Sequence, residues 1–135
     1  MTSALLLPVG VECFAVPLEL VREVVAAPLA TPLPTAPATV QGLINLRGEI
    51  VPLLDTLALA TGPRGEAAGY GVVVESSHGL AALAATGLPE VAELGEPVAV
   101  AESSACVSVH SVGERLVSLL DIEALVGRVR GAGAG

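Results

Sequence analysis

Apolar residues in this chain come in short runs, each closed by a glycine, a proline or a small polar cluster. Leu5 to Val16 reads as two strands with Pro8-Val9-Gly10 turning between them. After Pro17, Leu18, Val21 and Val24 fall at helical spacing, which predicts a short helical start before a strand over Val24 to Ala27. Thr31 to Thr39, TPLPTAPAT, carries no charge and is predicted to cross the surface in extended form. Gly42 to Gly62 reads as strand, tight turn, strand and short helix. Arg47-Gly48-Glu49 makes the turn, with Gly48 able to take a positive φ. Pro52 on the return strand predicts an edge or a bulge. Asp55 and Thr56 cap a helical turn that ends at Gly62.

The second half repeats the first. Gly62 to Gly69 is a linker, and Tyr70 to Ala85 a hairpin around Ser76-Ser77-His78-Gly79. Cys106 to Val112 alternates, with Cys106, Ser108 and His110 on one face and Val107 and Val109 on the other. Gly113-Glu114 turns the chain into Leu116 to Leu120, and Asp121 caps a last helical turn. Asp55 and Asp121 stand 66 residues apart, each after a strand of the form apolar-apolar-x-Leu-Leu. Val21-Arg22-Glu23-Val24 matches Leu88-Pro89-Glu90-Val91 at an offset of 67. The expectation is one domain over residues 1–127 made of two similar β lobes, with room for strands to pass from one to the other. Residues 128–135, with little to pack, are expected to be a disordered Gly/Ala tail.

Composition narrows the function. Apolar residues make up 53% of the chain, almost all aliphatic, with Phe14 and Tyr70 the aromatics. Fourteen acids against six arginines give a net charge of −8. Nucleic acid and an anionic membrane surface both need a basic patch, so neither is an expected partner. The long uncharged window from Val24 to Leu46 is broken by four prolines and cannot be a membrane helix. Cys13 and Cys106 are read as buried free thiols, and cytoplasm as the compartment. No zinc-ligand spacing and no phosphate loop is present, so no metal, cofactor or catalytic group is expected. His110 near Ser103, Ser104, Ser108 and Ser111 does not make a triad, which is assembled from separate segments.

Arg47 is harder to dismiss. The first turn reads Asn45-Leu46-Arg47-Gly48-Glu49, whereas its repeat has only Gly113-Glu114, so the hairpin can be built without Asn45 and Arg47. Glu23 is a candidate to pair with Arg47, and a surface pair of this kind is worth roughly 0–1 kcal/mol.

Ile44-Asn45-Leu46-Arg47-Gly48, with its following apolar strand and Asp55, resembles the CheW-like domain, the coupling module of bacterial chemosensory arrays. The likeness extends to Phe14–Val25 and Leu116–Leu125, covering roughly Leu5 to Gly127. It implies two SH3-like five-stranded barrels on a shared hydrophobic seam, an all-β fold with short helices. It implies a non-catalytic adaptor that joins a chemoreceptor's cytoplasmic tip to the regulatory domain of a CheA-type histidine kinase, with other CheW-like proteins as further partners. Val21, Glu23, Val24, Gly42, Asn45, Leu46, Arg47 and Gly48 are then the candidate receptor-coupling positions, and no position is assigned to the kinase. Thr86 stands where the family usually has an aspartate, and the second half is short. A divergent scaffold that binds receptors or adaptors but not the kinase is the first alternative. A small hydrolase or ligand-binding barrel, with His110 and a serine in a pocket, is the remote one.

Overall fold

A computed structural model describes residues 2–101 and 103–133. Its elements in order are β1 (Thr2–Val9), β2 (Glu12–Pro17), a 3-10 turn (Leu18–Leu20), β3 (Val21–Ala26), β4 (Val40–Leu46), β5 (Glu49–Leu54) and α1 (Thr56–Thr61). There follow β6 (Tyr70–Ser76), β7 (Gly79–Ala85), β8 (Glu90–Leu94), β9 (Ala99–Val100), β10 (Cys106–Val112), β11 (Arg115–Leu120) and α2 (Ile122–Gly133).

The strands form two sheets, ordered β3-β6-β7-β5-β4 and β8-β1-β2-β11-β10-β9. The first is continuous in sequence and is called the central lobe. The second, the terminal lobe, is built from both ends of the chain. Both follow one plan. In the central lobe the β6–β7 hairpin joins β3 on one side and runs parallel to β5 on the other, Leu53 beside Ala82. In the terminal lobe β1–β2 joins β8 and runs parallel to β11, Leu119 beside Ala15. The N-terminal hairpin therefore takes, in the terminal lobe, the place that β6–β7 holds in the central one.

This placement explains the unbroken apolar runs. A strand covered on both faces need not alternate. Leu5, Leu7, Phe14 and Val16 face a seam between the sheets, where they meet Val72, Val74, Ala81 and Leu83. The intervening Ala4, Leu6, Cys13 and Ala15 fill the terminal lobe with Leu94 and Val117. Val73, Ala82 and Ala84 fill the central lobe with Ile44, Val51 and Leu53. The stretches that alternate are the outer strands, such as β3.

Helix caps follow the sequence. Asp55 is buried and accepts from the Ala58 amide at 3.1 Å, and both its oxygens accept from Gly65 N–H at 3.2 and 2.9 Å. Asp121 caps α2 through the Ala124 amide at 3.1 Å. Thr86 ties the lobes together: its hydroxyl accepts from the Gly10 amide at 2.8 Å, and its own amide donates to Pro8 O at 2.9 Å.

Several expectations differ from the structure. The helical spacing around Val21 gives only the 3-10 turn at Leu18–Leu20, because β6 offers Val21 onward a strand partner. Pro52 is not on an edge, since β5 lies between β4 and β7. Its facing residue Leu43 spends both its amide and its carbonyl on Thr31, at 2.9 and 2.8 Å, so β4 asks Pro52 for no donor. The proline-rich loop is not extended throughout, because Ala36 N–H bonds Leu33 O and Val40 N–H bonds Pro37 O. Alternation in β10 fails at a bulge between Cys106 and Ser108, which puts Cys106 with Val109 on the wall of one depression. The tail expected to be disordered from residue 128 instead continues α2 to Gly133, with Val129 buried against the seam. Residues 134 and 135 lie outside the described residues.

Two outcomes are expected. A Cβ at Gly42 would stand 2.8 Å from the Thr31 carbonyl oxygen, whereas one at Gly95 meets nothing within 4 Å. Urea unfolding should therefore show Gly42→Ala destabilised by roughly 1–3 kcal/mol and Gly95→Ala nearly neutral. The Ser77 hydroxyl, and then its amide, hold the Glu123 carboxyl below its usual value. A depressed carboxylate contributes stability above its unfolded pKa and loses it as pH falls through the folded one. The Ser77 amide NMR shift should thus titrate below the ordinary glutamate range, and Glu123→Gln should abolish that titration.

Candidate functional site

The β4–β5 hairpin closes in a two-residue loop. Arg47 and Gly48 have φ of 51° and 91°, the signature of a type I′ turn. Asn45 Oδ1 accepts from the Gly48 amide at 2.8 Å and fixes the loop from within. Arginine is an unusual choice for a left-handed position, where it costs about 1–2 kcal/mol. The corresponding turn at Gly113-Glu114 places glycine there, with φ of 61°.

The Arg47 guanidinium reaches across the open end of the central lobe to the Glu23 carboxylate on β3. β3 and β4 are the two outer strands of this sheet, so the ion pair joins its edges. Glu23's side chain is 28% exposed and Arg47's 75%. Such a pair returns roughly 0–1 kcal/mol, no more than the backbone strain. Folding alone does not account for arginine at position 47. On the same strand Arg22 makes a two-bond fork with Glu75, at 2.9 and 2.8 Å, and holds that carboxyl below its usual value.

Together these groups surround a shallow concavity of about 300 Å³ with Leu46, Val73 and Leu80 inside a rim of Arg22, Glu23, Arg47 and Glu49. A dent this shallow, with a few aliphatic side chains ringed by charges of both signs, suits a protein surface rather than a small substrate. A second depression, about 720 Å³, opens on the terminal lobe between Phe14, Val109, Leu116 and Val100 and reaches Ala60 of α1.

Of the sequence candidates, Glu23, Leu46 and Arg47 meet at one place, supported by Asn45 and Gly48. Val21 packs on the seam instead. Val24 points outward and is exposed. Gly42 is buried at the other end of β4, pressed on Thr31. The sequence reading missed Arg22, Glu49, Glu75 and Leu80. For Arg22 and Glu75 the signal lay in the pairing of β3 with β6, and for Leu80 in the placing of β7 within the sheet, which the spacing of residues does not reveal; Glu49 was legible as the residue after the turn.

Among the described residues, His110 and its neighbour Ser108 are used structurally. His110 is buried, with Nε2 at 2.8 Å from Ser108 Oγ and Nδ1 at 2.9 Å from Gly95 O. That contact occupies both ring nitrogens and ties the segment after β8 to β10. The neighbouring depression is lined by Ser103, Cys106 and Val109 rather than by Ser108 or His110. Both cysteines are free, and burial pushes both thiols up, away from the reactive thiolate. Among the described residues no cluster of three or more His, Cys, Asp or Glu is placed to hold a metal ion, and no helix is long and apolar enough to cross a membrane.

Known proteins agree with this picture. A family model described as the CheW-like domain matches residues 3–130. The chain is 49% identical over 47 residues to the chemotaxis protein CheW of Rhizobium meliloti (strain 1021), covering 35% of this chain and 30% of that protein. It is 44% identical over 59 residues to protein FrzA of Myxococcus xanthus, covering 44% of this chain and 36% of that protein. The matched stretches thus span about a third of the length of these relatives. The crystal structure of the scaffolding protein TtCheW from Thermoanaerobacter tengcongensis superimposes with a TM-score of 0.78 at 20% identity, over 92% of this chain and 91% of that one, which establishes the shared fold. With a family model over nearly its whole length and the matching two-sheet architecture, the chain belongs to the CheW-like domain family.

Proposed function

We propose that this protein is a non-catalytic cytoplasmic adaptor that couples the tips of chemoreceptors to a CheA-type histidine kinase through protein–protein contacts. Membership of the family supports this, as do the names of the relatives, a chemotaxis protein and a scaffolding protein. The observation that carries it is Arg47, an arginine held in a left-handed turn by Glu23 at the rim of a shallow, charge-ringed concavity that contains Leu46 and Leu80. A guanidinium fixed in this way loses little freedom when a partner arrives. The two concavities lie on different lobes, so two partners can be held at once. A shift in one partner biases the other only if the contacts differ between signalling states.

Titration of the purified chain with a receptor-tip fragment, and separately with the kinase regulatory domain, tests the reading. Micromolar or tighter binding to both is expected. Arg47→Ala should weaken receptor binding about tenfold or more, with unfolding changed by no more than about 1 kcal/mol. The double exchange Glu23→Arg with Arg47→Glu should restore the edge-to-edge pair but not receptor affinity. Receptor binding without kinase binding would favour the divergent scaffold, and binding to neither would remove the adaptor reading.

A further inference from the structure

α2 touches both lobes. Its apolar stripe, Ile122, Leu125, Val126 and Val129, lies in the seam among residues of both sheets. Glu123 accepts from the Ser77 amide at 2.8 Å and the Ser77 hydroxyl at 2.5 Å, both at the β6–β7 turn of the central lobe. Gly127, one helical turn on and on the same face, lies under the His78 ring: a Cβ there would stand 2.8 Å from Nε2. Arg128 reaches elsewhere. Its Nη1 donates to the Leu59 carbonyl in the last turn of α1 at 3.4 Å, and its Nη2 donates to Ser104 Oγ at 2.9 Å, in the loop that enters β10 of the terminal lobe. The Leu59 carbonyl is one of those a helix leaves without a partner at its C-terminal end, where a cation is favoured. One guanidinium therefore holds an atom of each lobe.

The seam itself is apolar and mostly aliphatic, with Phe14 the aromatic buried in it. Apolar burial is strong but non-directional, so it sets that the lobes touch more firmly than the angle at which they touch. Directional bonds must set the angle. Thr86 and Gly87 supply them at one place, through Pro8 and Gly10. Glu123 and Arg128 supply them along α2.

We propose that α2 is an inter-lobe strap, with Glu123 and Arg128 as its clamps, that fixes the angle between the central and terminal lobes and whose release frees that angle without unfolding either lobe. A central glycine suits this work, because it lets the helix sit close on His78 while lowering the helix's independent stability. The strap holds when docked and has little structure of its own to keep it rigid when lifted.

The test uses the whole chain as wild type, Arg128→Ala, Arg128→Lys and Ser104→Ala, each followed by amide hydrogen exchange and by residual dipolar couplings. In the wild type one alignment tensor should fit both lobes. Arg128→Ala should speed exchange of the Leu125–Val129 amides roughly three- to tenfold, leave exchange inside each lobe unchanged, and require separate tensors for the two lobes. Lysine at 128 can cap α1 but cannot fork to Ser104, so it should recover only part of the protection. Ser104→Ala, which removes the terminal-lobe contact alone and leaves the helix intact, should also separate the tensors. A single tensor in every variant would overturn the proposal, as would α2 amides that exchange only together with those of both lobes.

Discussion

Burial of two hairpins on both faces is the constraint from which the architecture follows. β1–β2 and β6–β7 each carry one set of side chains into the seam and the other into a lobe interior. An uninterrupted aliphatic strand satisfies both faces at once, and no polar face is left to orient outward. The small size of these side chains matters as much as their hydrophobicity. Ala81, Ala82, Ala84 and Ala85 on β7 let the covering layers approach, and close packing in such layers depends on matched volumes. Charge is consequently pushed to the outer strands and to the open ends, where the ion pairs of Arg22 and Arg47 are found.

The candidate site inherits its form from that arrangement. In the central sheet the chain after the first strand returns to the last, where Thr31 bridges Leu43. What remains uncovered at the end of the central lobe is a rim of turn and edge residues around Leu46, Val73 and Leu80. Arg47 spans that rim from a strained turn, at a cost its ion pair does not exceed. Its side chain is 75% exposed there.

Much of this was legible in the sequence, for reasons that can be named. The Gly-bounded hairpins, the two aspartate caps and the repeat near 66 residues depend on local chemistry, and local chemistry is written in neighbouring letters. The pairing of Glu23 with Arg47 was within reach because the repeat isolated Arg47 as an unneeded turn residue. The fork between Arg22 and Glu75 was not, since it depends on which strand lies beside β3. Likewise the chain past Gly127 reads as having little to pack, yet α2 continues there. It persists because Val129 finds the seam and Arg128 finds two partners, and neither contact has a local signature. Pro52 misled for the converse reason: the rule that excludes proline from inner strands concerns a missing donor, and Leu43 had already been satisfied by Thr31.

The division of the terminal lobe between the two ends of the chain has a consequence for biosynthesis. Phe14 lies beside Ser118, so about 100 residues separate two strands that must meet. As the chain leaves the ribosome, β1–β2 emerges before the other strands of this domain, apolar on both faces and without the sheet it belongs to. The central lobe, continuous in sequence, emerges before β11 does, and domains tend to fold as they emerge. The waiting hairpin can therefore shelter one face on the finished central lobe, along what will become the seam, while the other face stays open until the last strands arrive. The order of synthesis thus makes the seam the first tertiary surface available to the hairpin and the terminal lobe the later of the two lobes to close.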